Sequence, residues 1–208
     1  WPSLNPLRAR LYSRLLRQND VEVVLSRVNR DVSRSAVPGR KVLRLPFGTH
    51  PAQHRKSADR LSGCARVLAV GNDRHRDWAL LLESARRLPE LTFDVVTLSK
   101  DVGKMAWPPN VRVCSMAQSD VLNHAYPESS VVALPLMPNL HASGCTVAIE
   151  AISSGVPIVA TNTGGIDEYV ADSNGILVAV NDLDAFVGAL RRAAARSPSD
   201  VPLAGERG

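Results

Sequence analysis

The sequence predicts an α/β protein built around a parallel β-sheet. From residue 66 onward, short apolar runs alternate with stretches in which apolar side chains recur at helical spacing. Most positions of these runs are apolar, which is typical of strands that are covered on both faces. With right-handed crossovers, this order of elements predicts a Rossmann-like, doubly wound parallel sheet.

Six strands and four helices are predicted for this sheet. The strands cover 66–71, 93–98, 111–115, 130–134, 157–160 and 176–178. The helices cover 77–88, which Pro89 ends, 119–126, for which Ser119 is the expected cap, 146–154, which Gly155 ends, and 183–195. Ligands of such sheets bind at the carboxyl ends of the strands, so the loops after the strands are expected to carry the function.

The first 48 residues follow a different pattern, with a basic helix predicted over 7–18 and strands over 21–25 and 41–45. Pro46-Phe47-Gly48 then breaks the chain. We expect four parts: the remnant of a preceding domain (1–48), a linker (49–65), the main domain (66–195) and a flexible tail (196–208). Because the chain begins at Trp1 rather than Met, we expect it to be a piece of a longer protein.

Composition points to a globular protein, because 45% of the 208 residues are hydrophobic and 22% are charged. The three cysteines are widely spaced, which argues against a disulfide scaffold and favours a reducing, cytoplasmic setting. The net charge of +5 is concentrated in residues 1–60, which hold 13 Lys and Arg against 4 Asp and Glu. This basic segment indicates either a solvated surface or peripheral contact with an anionic membrane at its inner face. A nucleic-acid partner rests on charge alone and is not expected.

The most informative stretch runs from 141 to 170. After the strand predicted at 130–134, Ser143, Gly144, Cys145 and Thr146 open a helix. The first amides of a helix lack internal partners, and the helix dipole adds partial positive charge there. Gly144 has no side chain that would keep a ligand from those amides, so this is a candidate phosphate or diphosphate site.

Glu150 lies about one helical turn beyond Thr146, on the same face of this helix. A carboxylate at that distance from a phosphate site can accept hydrogen bonds from two adjacent hydroxyls, as in a ribose diol. The alternative is a capped helix with a solvated Glu150. The apolar neighbours of Glu150 predict a largely buried helix, in which a carboxylate needs a partner.

Residues 143–151 (SGCTVAIEA), 154–161 (SGVPIVAT) and 163–166 (TGGI) with Glu168 resemble the donor-site signature of the retaining family-4 glycosyltransferases. Members of that family consist of two Rossmann-like domains, the GT-B arrangement. The resemblance covers about residues 40–195, and 45–50 (LPFGTH) resembles the family's interdomain passage. Residues 24–31 resemble the last strand of the acceptor domain and the loop after it. The resemblance implies the C-terminal, donor-binding domain with a remnant of the acceptor domain.

A second polar cluster follows the first strand of the main domain, at 71–77 (GNDRHRD). The family places an Arg and a Lys there, and both neutralise the donor diphosphate. Arg76 stands where the family's Lys falls, and Arg74 is the next candidate. Guanidinium groups can bind a diphosphate with two parallel hydrogen bonds. The alternative is a polar loop capped by Asp77.

Two further loops are implied in donor binding. Met116, Ala117 and Gln118 lie where the family holds the nucleobase through backbone contacts. Thr163, Gly164 and Gly165 give a flexible loop whose amides are expected to approach donor or acceptor. Each has the alternative of a plain turn. In this family, a carboxylate often precedes the helix Glu, with seven residues between the two. Here that position is Ala142, which leaves the usual contact to the donor sugar in question.

The expected function is transfer of a sugar, with retention, from a nucleotide-diphosphate donor (UDP or GDP) to a glycan or lipid-linked acceptor in carbohydrate biosynthesis. No catalytic residue is identified, and no cofactor or metal is expected. A GT-B-fold nucleotide-sugar epimerase and a non-catalytic nucleotide-sugar-binding protein are the alternatives. Catalysis needs both walls of the cleft, so this chain alone is expected to be inactive.

Overall fold

The computed structural model describes residues 5–48, 65–170 and 175–195. Its N-terminal segment, 5–48, contains helix α1 (Pro6–Leu16), strand β1 (Glu22–Val24), helix α2 (Arg27–Ala36) and strand β2 (Val42–Arg44). The two strands pair in parallel and form a small sheet of their own. None of the helices in the described part of the chain has the length and apolar character needed to span a bilayer.

A second sheet, with six parallel strands, is the frame of the rest of the chain. Its strands are β3 (Arg66–Val70), β4 (Thr92–Val96), β5 (Val111–Cys114), β6 (Val131–Leu134), β7 (Ile158–Thr161) and β8 (Ile176–Val178). Their spatial order is β5-β4-β3-β6-β7-β8. The chain winds outward from β3 in one direction and from β6 in the other, so the order reverses between these two strands. Such a switch point leaves a crevice at the carboxyl ends of β3 and β6.

Helices cover both faces of this sheet. They are α3 (Trp78–Arg87), α4 (Lys100–Gly103), α5 (Gln118–Asp120) continued by a π-helical turn (Val121–Ala125), α6 (Cys145–Ser153), α7 (Asp167–Val170) and α8 (Leu183–Ala194). One core contains Leu81, Phe93 and Leu190 and joins α3 and α8 to the sheet. The other contains Tyr126 and Ile158 and lies beneath α6 and α7.

Two helices begin with an aspartate cap, and α6 does not. Asp77 accepts a hydrogen bond from the Leu80 amide at 2.9 Å, and Asp182 accepts one from the Ala185 amide at 2.9 Å. At the start of α6, Gly144 has a left-handed conformation with φ of 84°, and no side chain caps the helix. The amino end of α6 therefore keeps its amide groups available.

The predicted fold class is confirmed, as are the six strands and the helices over α3, α6 and α8. Residues 24–31 are not a strand followed by a loop, because β1 ends at Val24 and α2 begins at Arg27, with Ser26 capping α2 by accepting from the Asn29 amide at 3.1 Å. The expected cap Ser119 is wrong: Ala117 precedes α5, and it makes no side-chain cap bond. Short helices α4 and α7 were not predicted. The expected tail lies outside the described residues, as does the expected linker apart from Ala65.

Candidate functional site

The loops that follow β3 and β6 lie side by side at the switch point. The Asp77 amide donates to the carbonyl of Pro135 at 3.0 Å, and the Met137 amide donates to the carbonyl of His75 at 2.8 Å. Between them, Arg76 and Leu136 form an antiparallel bridge. These backbone contacts hold the loop that carries Arg74 and Arg76 against the loop that leads into α6.

Arg76 is the buried cation of this site, with 6% of its surface exposed. Its Nε donates to the carbonyl of Val70 at 3.2 Å, and one terminal nitrogen donates to Ser143 Oγ at 3.1 Å. A Cβ on Gly71 would lie 2.3 Å from Arg76 Nε, so the glycine makes room for the guanidinium group. Burial lowers the pKa of Arg76, while the nearby Asp73 carboxylate opposes that shift.

The amino end of α6 lies directly over this arginine. A Cβ on Gly144 would lie 3.3 Å from the Arg76 guanidinium and 2.9 Å from Leu134, so backbone and cation approach closely there. The Cys145 amide contacts the carbonyl of Ala142 at 3.4 Å, which is at the long end for a hydrogen bond. Thr146, next in the helix, is half-buried. Burial raises the pKa of the Cys145 thiol despite opposing hydrogen bonds, so this thiol is not activated as a nucleophile.

Glu150 is almost fully buried, with 2% of its surface exposed. One carboxylate oxygen accepts a hydrogen bond from Gln118 Nε2 at 2.8 Å, and the other accepts from the Tyr126 hydroxyl at 2.8 Å. Burial raises the pKa of Glu150, and these two hydrogen bonds oppose the rise. The structure therefore surrounds this carboxylate with neutral donors rather than leaving it solvated.

Asp73 belongs to the site although the sequence did not single it out. It accepts a hydrogen bond from the Ser143 hydroxyl and another from the His75 amide at 2.7 Å, and it lies 3.9 Å from the Arg76 guanidinium. Burial alone would raise the pKa of Asp73, but the hydrogen bonds outweigh it and lower the pKa to about 2. A charged network of Asp73, Ser143 and Arg76 thus ties the β3 loop to the start of α6.

The remaining predicted residues are spread around this centre. Arg74 is exposed on the same loop as Arg76. Met116 is half-buried against the core beneath α6, and Ala117 is exposed just before α5. Ala142 has a left-handed conformation with φ of 51°, and its side chain is buried.

Gly164 and Gly165 are buried against protein. Both have positive φ, 66° and 88°. A Cβ on Gly164 would lie 2.2 Å from Asn139 Oδ1, and one on Gly165 would lie 2.5 Å from the Cβ of Ser26. The close approach that these glycines permit is to the β6 loop and to the N-terminal segment.

The N-terminal segment is attached near this glycine loop through α7. Glu168 accepts hydrogen bonds from the Arg27 amide and from the Arg44 guanidinium. The Tyr169 hydroxyl donates to the carbonyl of Leu25 at 2.7 Å and accepts from the Phe47 amide at 3.0 Å. A cavity of about 460 Å³ lies beside these contacts and is separate from Arg76 and Ser143. Its lining residues are Arg27, Arg44, Pro46, Phe47, Ile149, Ile152, Glu168 and Tyr169.

Of the sequence-predicted residues, the structure brings Arg76, Ser143 and Gly144 into direct proximity and places Glu150 further along the same helix. Sequence reasoning missed Asp73 and Tyr126. Gln118 was placed in the candidate nucleobase loop, but its side-chain bond to Glu150 was not predicted. Tyr126 offered no local signal, because its contact with Glu150 spans 24 residues.

The fold is that of a Rossmann-like GT-B domain. The family model described as "Glycosyl transferases group 1" matches residues 64–196. The chain therefore belongs to the group 1 glycosyl transferases. Among curated protein sequences, none matches this chain significantly.

Solved structures of glycosyltransferases have the same fold. Anabaena Alr3699/HepE in complex with UDP superposes with a TM-score of 0.73 at 13% identity, covering 96% of this chain and 64% of that one. A UDP-forming α,α-trehalose-phosphate synthase from Burkholderia vietnamiensis gives 0.69 at 16% identity, covering 95% and 59%. A variant of S. aureus TarM in complex with Fondaparinux, alpha-GlcNAc-glycerol and UDP gives 0.68 at 14%, covering 88% and 40%. The chain thus spans less than two thirds of the length of each of these proteins.

Proposed function

We propose that this chain forms the donor-binding half of a glycosyltransferase. The whole protein would transfer a sugar from a nucleoside-diphosphate donor to a glycan or lipid-linked acceptor, with retention of configuration. The observation that carries the proposal is the convergence of Arg76, Ser143 and the amino end of α6 at the switch point of the sheet.

The diphosphate is proposed to bind at the amino end of α6. Gly144 presents backbone without a side chain, and the helix dipole favours an anion there. The buried guanidinium of Arg76 lies beneath the same turn and is oriented by Val70 and Ser143. A fixed cation in a site shielded from water stabilises the charge of a leaving diphosphate more strongly than a solvated one does. Arg74, exposed on the same loop, supplies a second cation.

The ribose is proposed to bind Glu150. Each carboxylate oxygen has capacity for about two hydrogen bonds, and Gln118 and Tyr126 occupy one on each oxygen. Each oxygen therefore keeps acceptor capacity for one hydroxyl of the diol, and because Glu150 is 2% exposed, neighbouring side chains must move to admit it. The 2.8 Å bond from Gln118 also ties Glu150 to the loop of Met116 and Ala117, where the base is proposed to lie. HepE and TarM were solved with UDP, which makes UDP the first nucleotide to test.

A second candidate function is non-catalytic binding of a nucleotide sugar. Ala142 favours it, because this position would hold the acid that contacts the donor sugar in the resembling family. The side chain of Ala142 is buried, and its amide donates to the carbonyl of Gly164 at 2.8 Å. This position therefore supplies no carboxylate to a ligand. Transfer or hydrolysis of the donor by the full-length protein would exclude this candidate.

Calorimetry with UDP, GDP and ADP tests the binding proposal. We expect saturable binding of at least one of these nucleotides at one site per chain, with the same affinity after treatment with EDTA, because Arg76 and backbone amides supply the positive charge. Thermal unfolding gives a second readout, since a ligand of the folded state raises its stability by RT ln(1 + [L]/Kd). Absence of binding to all three nucleotides would refute the proposal, and loss of binding in EDTA would refute its metal-free form.

The chain by itself is proposed to lack transferase activity. Residues 5–48 supply one two-stranded sheet and two helices, which is much less than a second Rossmann-like domain. Catalysis by proximity requires that both walls of the cleft hold their substrates. Steady sugar transfer by the purified 208-residue chain would show that the division of the fold is misassigned.

Helix α1 is proposed to contact anionic lipid at the inner face of the membrane. Its apolar side chains Leu7, Leu11 and Leu15 are spaced four residues apart and are 77%, 56% and 50% exposed. Basic residues lie among them and just beyond, at Arg8, Arg10, Arg14 and Arg17. Such a helix lies in the interfacial plane of a membrane. Sedimentation should show binding to vesicles with phosphatidylserine and not to neutral vesicles, and equal binding to both would refute the electrostatic part.

A further inference from the structure

Three potential metal ligands meet beside the candidate donor site, and nothing proposed above uses them as a set. Asp73 and His75 lie in the loop after β3, and His141 lies in the loop between β6 and α6. His75 Nδ1 is 3.0 Å from Asp73 Oδ1 and 2.6 Å from His141 Nε2. The three ligand atoms all lie within 4.8 Å of one another.

The hydrogen bonds among Asp73, His75 and His141 do not satisfy all three of these atoms at once. His75 Nδ1 faces two acceptors at once, the Asp73 carboxylate and, when it is unprotonated, His141 Nε2. A neutral imidazole nitrogen carries at most one proton, so a single proton would be shared between the two contacts. A cation between the three atoms would interact favourably with a lone pair on each of them.

The cluster is also held in place by contacts outside it. Asp73 accepts from the His75 amide at 2.7 Å and from the Ser143 hydroxyl, so the carboxylate orientation does not depend on a metal. The His141 amide donates to Asn139 Oδ1 at 3.2 Å, and the carbonyl of His75 accepts from the Met137 amide. The contacts to Asp73 orient its carboxylate as outer contacts do in protein metal sites, and the backbone contacts hold the loops that carry the two histidines.

We propose that Asp73, His75 and His141 bind a transition-metal ion of the zinc type. The ligands are one carboxylate oxygen, His75 Nδ1 and His141 Nε2, and a fourth position is left for water. Two imidazoles and one carboxylate suit Zn²⁺, whereas Mg²⁺ and Mn²⁺ prefer oxygen ligands. Zn–N distances of about 2.0–2.1 Å require the two rings to move apart by several tenths of an ångström on binding.

The sequence predicted no metal of any kind, and the proposed ion departs from that expectation because its ligands come from two loops that are far apart in the chain. It lies one contact away from the diphosphate site, because Ser143 bonds both to Asp73 and to Arg76. Metal binding is nevertheless independent of the proposed function, since it needs no nucleotide. It can therefore be measured on the chain alone, and its failure would leave the nucleotide test unaffected.

Titration of the metal-free chain with Zn²⁺, in a buffer without phosphate, tests the proposal. We expect one ion per chain with micromolar or tighter affinity, and weaker binding of Mg²⁺ by orders of magnitude. His141→Ala is the primary variant because His141 is exposed, so its loss leaves the core intact. Its affinity should fall at least about 100-fold, since loss of an outer-shell partner already costs about 10–100-fold. Substituting Co²⁺ should give the visible absorption bands of a four-coordinate site, and His141→Ala should abolish them.

Two control variants separate this cluster from the other histidines. His124→Ala removes an exposed imidazole from the π-helical turn and should leave the Zn²⁺ affinity unchanged. The double variant His50→Ala/His54→Ala removes the other pair, which lies outside the described residues, and should also bind normally. The proposal is overturned if the unaltered chain shows no saturable Zn²⁺ binding, or if His141→Ala binds as tightly as the unaltered chain.

Discussion

Two buried carboxylates in the same domain have opposite kinds of partners. Glu150 on α6 accepts hydrogen bonds from Gln118 and Tyr126, both neutral. Glu168 on α7, with 6% of its side chain exposed, accepts from the Arg27 amide and pairs with the guanidinium groups of Arg27 and Arg44. Burial is similar at the two positions, so the difference lies in the charge of the surroundings.

This difference indicates two different tasks. The negative charge of Glu168 is matched by arginines of the N-terminal segment, so it fastens that segment to the sheet domain. The partners of Glu150 lie within the domain and are uncharged, so its carboxylate retains hydrogen-bonding capacity for hydroxyl groups of a ligand. A carboxylate that is buried for structure alone would be expected to have a cation beside it.

The largest expected effect is on nucleotide affinity, which should fall when Glu150 is replaced and not when Glu168 is replaced. Glu150→Gln keeps the size of the side chain and removes its charge, and hydrogen bonds to charged groups contribute about 1.5–3 kcal/mol. The Kd for the nucleotide that binds best should therefore rise roughly 10- to 100-fold in calorimetry. Glu168→Gln is the matched control and should leave this Kd within about twofold. An unchanged Kd in folded Glu150→Gln would remove the ribose assignment, whatever the control shows.

A smaller effect is expected on the free energy of unfolding, to which the ion pairs of Glu168 contribute. Glu168→Ala removes the acceptor of the Arg27 amide and the partner of Arg44, and we expect the free energy of unfolding to fall by about 1–2 kcal/mol. The Arg27 side chain is 68% exposed, so its own ion pair adds little. The control is Glu128→Ala, which breaks the 2.9 Å surface pair with Arg66 and should cost under about 1 kcal/mol. Equal losses in the two variants by urea unfolding would contradict the fastening role of Glu168.

The smallest effect is a pH dependence specific to Glu150. Because burial raises the pKa of Glu150 above its ordinary value of 4.5, the folded protein binds its proton more tightly than the unfolded chain does. The stability from this group is complete below that value and is lost as the pH rises through the raised pKa. Gln does not titrate, so the stability of Glu150→Gln relative to the unaltered chain should increase between pH 4.5 and neutrality. A constant or decreasing difference in urea unfolding would show that Glu150 is not strained by its burial.

The pattern of neighbouring residues in the sequence was sufficient to predict most strands and helices of the large sheet domain and some residues of the candidate site. The apolar runs that became β3, β4 and β6 are recognisable because strands covered on both faces need apolar side chains at most positions. Gly144 before an apolar helix predicted an open amino end, since only nearby residues decide how a helix is capped. Helix α2 was missed because only Val28, Val32 and Ala36 are apolar along it, and that is a weak periodic signal.

By itself, the sequence determined the six strands of the large sheet, the helices α3, α6 and α8 and the place of Glu150 on α6, because each of these depends on residues close together in the chain. Tertiary structure alone decided what meets at the switch point. Arg76 and Ser143 are 67 residues apart, and His75 and His141 are 66 apart. No periodicity or spacing links such distant residues. They come together because β3 and β6 are neighbours in the sheet, so that the loops at their carboxyl ends must share one crevice.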